Sequence, residues 1–279
     1  IIDFTRRYLH HKKLEKQTSE IAVTMDKLSL PRGQMETDYQ KMLRSLYITL
    51  QQQINELENG QVEQAEYFTM WVHQIKTPIA ALRLLLAEEE DERSQEMWEE
   101  LFSIEQYVEM ALQFSRLSAK STDFVIGEVS LDKVVREAIH KYARLFVRKK
   151  IKLELTSIDT QVLTDEKWLE FVIEQILSNA IKYTAGGTIS IYQKITVTDE
   201  KKEVKELIIE DTGIGIAPED LPRIFEKGYT GYNGHADKRS TGIGLYLCRK
   251  IMRKLSHEIT IESEIGVGTK VHLEMRSRD

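Results

Sequence analysis

Val72, Ile75, Ile79, Leu82 and Leu86 stand at alternating steps of three and four residues, a spacing that lines up on one side of an α-helix and of no other regular backbone. A helix built this way carries a continuous apolar stripe that has to be covered by another element. Upstream, Leu43, Leu46, Leu50, Ile54 and Leu57 also recur at three- and four-residue steps. The acidic run 88–93 breaks the pattern, and Met97, Leu101, Ile104, Val108 and Ala111 resume it. Before residue 120 the only prolines are Pro31 and Pro78, and glycine is almost missing. Heptad-like segments joined by a short polar loop read as a helical hairpin, and two hairpins could close a four-helix bundle, so a homodimer is expected.

After residue 120 the pattern changes. The small-polar run 119–123 marks a linker, which divides the 279 residues into about two domains. Residues 124–129 and 151–156 read as strands flanking a helix that Ser130 caps. A longer helix is expected over 165–183. A hairpin of 188–197 with 204–210 turns at the polar run 199–203. A helix over 241–255 follows, then a last hairpin of 259–264 with 269–275, turning at Gly266-Val-Gly268. The expected fold is a helical-hairpin dimerisation domain followed by an α+β domain, an antiparallel sheet with helices on one face.

Bulk properties exclude several functions. A net charge of −6 argues against a nucleic-acid binder, which would present a basic face. Cys248 is the only cysteine, so there is neither an internal disulfide nor a cysteine metal cluster, and the thiol is expected to pack as a small apolar group. No run approaches the roughly 18–20 apolar residues that span a bilayer. Ile1-Ile2 followed by Arg6, Arg7, Lys12, Lys13 and Lys16 looks like the inner edge of a transmembrane helix, with a solvated basic helix end as the alternative.

Four motifs carry chemistry. In Met70-Trp-Val-His73-Gln-Ile-Lys-Thr77-Pro78, His73 follows the seam residue Val72 and is turned toward the rim. Thr77 shares its face one turn on, and Pro78 cannot donate to the carbonyl of Gln74, so the helix should bend there. An exposed imidazole is partly neutral near pH 7 and is a competent nucleophile. In Gln175-Ile-Leu-Ser-Asn179-Ala-Ile-Lys182-Tyr183, an amide oxygen suits Mg²⁺, an ammonium suits phosphate, and a ring stacks on a purine. Asp211-Thr-Gly213-Ile-Gly215-Ile216 follows an apolar strand, where a carboxylate can accept an adenine amino group and glycines let the backbone approach. Thr241-Gly242-Ile243-Gly244-Leu245 leads into a helix whose free N–H groups suit phosphates. It lacks the third glycine of a dinucleotide fold and the Lys-Ser/Thr of a Walker loop. Between the last two motifs, Phe225, Lys227, Gly228, Tyr229 and Thr230 belong to a run from 223 to 234 that suits a lid.

In this order and spacing the motifs resemble those of bacterial sensor histidine kinases, over roughly residues 65–275. The His73 segment resembles the phosphoacceptor box, with Gln74 where the family carries an acid; a neutral amide orients an imidazole but cannot take its proton. The Asn179 segment resembles the N box and the Phe225 segment the F box and ATP lid. The resemblance implies ATP and Mg²⁺ as cofactors, with Asn179 as metal ligand. It also implies an ATP-binding sandwich of the gyrase/histidine-kinase superfamily and transfer of a phosphoryl group from His73 to an aspartate of a response regulator. Thr77 would serve a phosphatase activity toward that regulator. The expected division is a juxtamembrane helical linker over 1–60, a dimerisation and phosphotransfer domain over 61–120, and a catalytic domain over 121–279. The whole would be the cytoplasmic portion of a cell-membrane protein. The Gln74 box and the run Lys227-Gly-Tyr-Thr-Gly231 look closest to intramembrane-sensing kinases, relatives that pair with peptide-exporting ABC transporters and respond to cell-envelope antibiotics. Two other readings stand beside this one. A gyrase-type ATPase typically carries Glu four residues before the Asn, where this chain has Gln175. A non-enzymatic dimeric module would bind ATP without turnover.

Overall fold

The computed structural model describes residues 33–87, 91–118, 124–197, 203–231 and 241–275, with Tyr8, Lys12 and Pro31. The polar turn at 199–202, the linker at 119–123, the lid residues 232–234 and most of the basic cluster after Ile2 lie outside them. The chain divides into two compact units, Ile1–Thr69 and Met70–Asp279. Helix α1 (Gln34–Ala87) contributes to both. In the first unit Leu43, Leu46, Leu50, Ile54 and Leu57 are all exposed, so the stripe read from the sequence has no cover within that unit.

In the second unit α1 pairs with α2 (Glu92–Ser118). Val72, Ile79, Leu101, Val108 and Leu112 form a small core, with Ile75 and Leu86 at its edge. Lys76 meets Glu109 at 2.7 Å and Arg83 meets Glu105 at 3.6 Å across the pair. Of the expected seam, Leu82, Met97 and Ile104 remain exposed in the single hairpin. Helix α1 continues through Pro78. A second face of α2, carrying Trp98, Phe102, Met110, Phe114 and Leu117 at steps of four, eight, four and three residues, joins the core of the α/β part.

That part runs β1 (Gly127–Ser130), α3 (Leu131–Arg148), β2 (Lys152–Leu155), β3 (Gln161–Thr164), α4 (Glu166–Tyr183), β4 (Thr188–Val197), β5 (Glu203–Asp211), α5 (Gly244–Lys254), β6 (Glu258–Glu264) and β7 (Gly268–Met275). Five strands form one sheet in the order β2-β4-β5-β7-β6, while β1 and β3 pair separately. Three expectations are corrected. The sheet is mixed rather than antiparallel: β2 and β4 run parallel, since the chain between them crosses over through α4. The first strand begins at Gly127 rather than 124, and the four-residue β3 was not foreseen, being too short to show a pattern. Helix α5 begins at Gly244 rather than 241, because Gly242 has φ +64°.

Capping follows the sequence. Ser130 accepts from the N–H of Lys133 at 3.4 Å. Asp165 caps α4 by accepting from Trp168 at 3.1 Å, and its other oxygen accepts from Val125 at 2.7 Å, fixing the entry of the domain to the helix it precedes. Period-two alternation puts Ile189, Ile191, Leu207, Ile209 and Leu273 on the helix-covered face, all buried. Cys248 lies on α5 in this core, and burial pushes its thiol up to about 12, so it behaves as the inert apolar group expected.

Candidate active site

At one end of the inner sheet face the strands leave a cavity of about 250 Å³. Its walls come from α4 (Gln175, Asn179, Lys182, Tyr183), β5 (Ile209, Asp211) and the loop after it (Gly215, Ile216). The lid (Tyr229, Thr230), the second glycine motif (Thr241, Gly242, Gly244, Leu245), β6 and β7 (Ile261, Thr269, Val271) and α2 (Ser103, Gln106, Tyr107, Met110) complete it. Its floor is aliphatic and its rim polar, as a binding cleft needs.

Asp211 is the last residue of β5 and pairs across the sheet with Thr269. Burial pushes its carboxyl above the ordinary carboxylate range, and N–H groups of Gly213 and Thr269 draw it partly back. The Gly213 bond is 2.8 Å. Because Gly213 folds back on Asp211, it holds the carboxylate without lining the cavity. The loop is tied down on both sides. The N–H of Thr188 donates to Thr212 Oγ1 at 2.9 Å, that of Gly266 to the carbonyl of Ile214 at 2.9 Å, and that of Ile216 to Ser263 Oγ at 2.9 Å. Gly215 has φ +71°, and a Cβ there would stand 2.0 Å from the carbonyl oxygen of Glu264, so only glycine fits.

The lid and the second glycine motif are joined backbone to backbone: the N–H of Gly228 donates to the carbonyl of Gly242 at 2.9 Å. A Cβ on Gly242 would lie 2.4 Å from the carbonyl carbon of Gly228. Tyr229 donates to Asp220, and the Arg223 guanidinium lies 4.3 Å over the Tyr229 ring. Helix α5 starts from this motif with no side-chain hydrogen bond at its N-cap, Ile243, so its first turn offers N–H groups toward Gly244 and Leu245 on the cavity wall.

The structure thus gathers Asn179, Lys182, Tyr183, Asp211, Gly215, Ile216, Tyr229, Thr230, Thr241, Gly242, Gly244 and Leu245 around one cavity. Gly213, Phe225, Lys227, Gly228 and Ile243 are not among its lining residues. Phe225 and Ile243 pack against the core, with the Arg249 guanidinium 5.1 Å over the Phe225 ring, and Lys227 Nζ lies 4.8 Å over the ring of Phe114 on α2. His73, Gln74 and Thr77 are exposed on α1 and do not line the cavity either; Thr77 Oγ1 donates to the His73 carbonyl at 3.3 Å. Among the described residues no cluster of three or more His, Cys, Asp or Glu side chains is placed to hold a metal. The sequence reading missed Ile209, Thr269 and Val271, although the two-residue period of β5 already put Ile209 on the face of Asp211. It also missed the α2 wall.

A model of the histidine kinase-, DNA gyrase B-, and HSP90-like ATPases matches residues 164–279. Sensor histidine kinase YxdK of Bacillus subtilis (strain 168) is 36% identical over 234 residues, which cover 84% of this chain and 71% of that protein. Sensor protein BceS of Halalkalibacterium halodurans is 30% identical over 269 residues, 96% of this chain and 78% of the relative. Among solved structures, full-length ShkA in complex with AMPPNP has a TM-score of 0.54 at 20% identity, covering 77% of this chain and 47% of ShkA, a likeness of fold.

Proposed function

Because the chain belongs to the sensor histidine kinases, whose ATP-dependent activity on histidine it shares, we propose that ATP binds in the cavity around Asp211 and that His73 receives its γ-phosphoryl group. Family membership also brings a response regulator as partner and dimerisation. The observation that carries the assignment is the convergence of three separate motifs on one cavity, from Asn179 on α4 through Asp211 to Gly244 on α5.

The parts of ATP find matching chemistry. The Asp211 carboxylate is an acceptor at the apolar end, suited to an adenine amino group beside Ile209 and Val271. The start of α5 and Lys182 suit the phosphates. Asn179 would hold Mg²⁺ through its amide oxygen. When bound, that ion supplies charge neutralisation at the phosphates. An imidazole nitrogen of His73 attacks the γ-phosphorus, the P–N bond forms, the bond to the bridging oxygen breaks, and ADP leaves. The ring proton has to go to solvent or another group, since Gln74 cannot accept it. Catalysis is then chiefly positioning and neutralisation. His73 does not line the cavity of its own chain, so transfer calls for the ATP-binding part to shift along the hairpin or for the cavity of the partner protomer to reach His73.

We assign residues 1–60 to a juxtamembrane helical linker, 61–120 to the dimerisation and phosphotransfer hairpin, and 121–279 to the ATP-binding domain. No helix among the described residues is long and apolar enough to cross a membrane. We place the chain on the cytoplasmic side of a cell-membrane protein, where ATP and the regulator are. The similarity to BceS and YxdK supports the intramembrane-sensing group. A peptide-exporting ABC transporter as second partner and cell-envelope antibiotics as stimulus fit that group.

Incubation with labelled ATP tests the reading. Wild type should acquire an acid-labile, alkali-stable label, and His73→Gln should acquire none while binding ATP as wild type does. Persistent labelling of His73→Gln would remove His73 from its role; ATP hydrolysis without protein label would point to an ATPase instead.

A further inference from the structure

We propose that α2 is a plug as well as a scaffold: docked on it, the ATP-binding domain has Met110 standing at the phosphate end of its cavity, so that binding ATP and leaving α2 are one coupled equilibrium. The inference rests on reading the cavity as the ATP site.

Met110 Sδ lies 3.4 Å from Thr241 Oγ1, and its Cε is 3.8 Å from where a Cβ on Gly244 would stand. Thr241 and Gly244 frame the uncapped start of α5, the place where the motif offers donors to phosphate. A thioether fills that space with a nonpolar group that donates no hydrogen bond to an anion. Lys227 of the lid is held 4.8 Å over Phe114, one turn further along the same face of α2. The start of α5, where phosphate is expected, and the lid cation Lys227 are therefore both engaged by α2 side chains. The remaining cavity, about 250 Å³, lies below the range of roughly 300–1,000 Å³ usual for ligand sites.

The contact is built into the sequence along the whole helix. Trp98 stacks on Phe102 at 5.2 Å, Phe102 meets Tyr142 edge-on at 5.3 Å, and Arg144 covers Trp98 at 4.6 Å. Arg148 pairs with Glu99 at 2.9 Å and donates to the carbonyl of Gln95 at 3.0 Å, at the end of α2 opposite to Met110. If only a fraction of molecules is undocked, the apparent dissociation constant for ATP exceeds the intrinsic one by the inverse of that fraction. Reciprocally, ATP that binds the undocked form draws molecules off α2.

The test titrates the whole chain with a fluorescent ATP analogue, and with AMP by competition, in wild type, Met110→Ala and Arg148→Ala. A docked population of about 90% leaves room for about tenfold tighter ATP binding. Both variants should tighten ATP by at least about threefold. AMP, lacking the outer phosphates, should respond less to Met110→Ala. Unchanged or weaker ATP binding by Met110→Ala would overturn the plug. Tightening by Met110→Ala alone would overturn the coupling to docking. Wild type that binds no nucleotide, or Asp211→Asn that binds as wild type does, would overturn the cavity assignment instead. Urea denaturation of each variant establishes that it is folded.

Discussion

Gly215 and Gly186 provide a matched pair of substitutions. Both have positive φ, +71° and +66°, so alanine carries a similar left-handed backbone cost at each, about 1–2 kcal/mol. The surroundings differ. A Cβ at Gly186 meets nothing within 4 Å, whereas one at Gly215 stands 2.0 Å from the Glu264 oxygen, 2.6 Å from its carbon and 2.9 Å from Ile265 Cα. These are backbone atoms and cannot rotate away, so the loop must move off the β6–β7 turn. That movement breaks the bonds of Ile216 to Ser263 and of Gly266 to Ile214. Adding about 1–3 kcal/mol for overpacking puts Gly215→Ala at about 2–5 kcal/mol, against about 1–2 for Gly186→Ala. Nucleotide affinity should fall sharply in Gly215→Ala, because Gly215 and Ile216 are cavity walls, and stay near wild type in Gly186→Ala. Urea denaturation and titration with a fluorescent ATP analogue measure the two effects. Equal destabilisation by both substitutions would refute the argument from close approach.

Asn179→Ala should weaken ATP binding strongly with Mg²⁺ present and only slightly in excess EDTA, since the lost group is the proposed metal ligand; an equal loss in both conditions would assign Asn179 to packing. Thr77→Ala should leave autophosphorylation and transfer intact while slowing dephosphorylation of the regulator with ADP present. Equal rates of phosphate loss from the regulator would reduce the Thr77 hydroxyl to its bond with the His73 carbonyl.

What could be read in advance was whatever local periodicity or backbone geometry imposes. The helices, the two hairpins of the sheet, the Ser130 cap and the glycine motifs are of this kind. Gly215 and Gly242 are dictated by positive φ and by neighbouring backbone, which a Gly-x-Gly spacing announces. Pairing partners distant in sequence were less legible. The parallel register of β2 with β4 depends on the crossover through α4, and Thr269 reaches Asp211 only through that sheet order. The seam on α2 was half right because its apolar residues occupy more than one face. Leu101 and Val108 turn to α1, Met97 and Ile104 stay exposed, and the row through Trp98, Met110 and Phe114 had no partner in a reading that treated the two domains apart.

The composition of that third row also bears on whether docking can be undone. A wholly apolar contact of this length would behave as a permanent core, yet polar groups recur along it. Tyr142 is fully buried and donates to Gln106 at 2.8 Å, Arg148 pairs with Glu99, and Lys254 Nζ donates to the carbonyl of Leu117 at 3.3 Å. In the docked state the Tyr142 pairing avoids an unsatisfied buried hydroxyl. On separation each group meets water, so breaking a typical neutral pair costs only about 0.5–1.5 kcal/mol. Further along, Lys76 on the histidine helix holds Glu109 beside Met110, while Lys141 on α3 holds Glu174 on α4, one residue before Gln175 of the cavity. Lys76 stands one helical turn from His73, so an ion pair within the hairpin begins next to the phosphoacceptor and ends beside Met110, while the Lys141–Glu174 pair lies within the ATP-binding part.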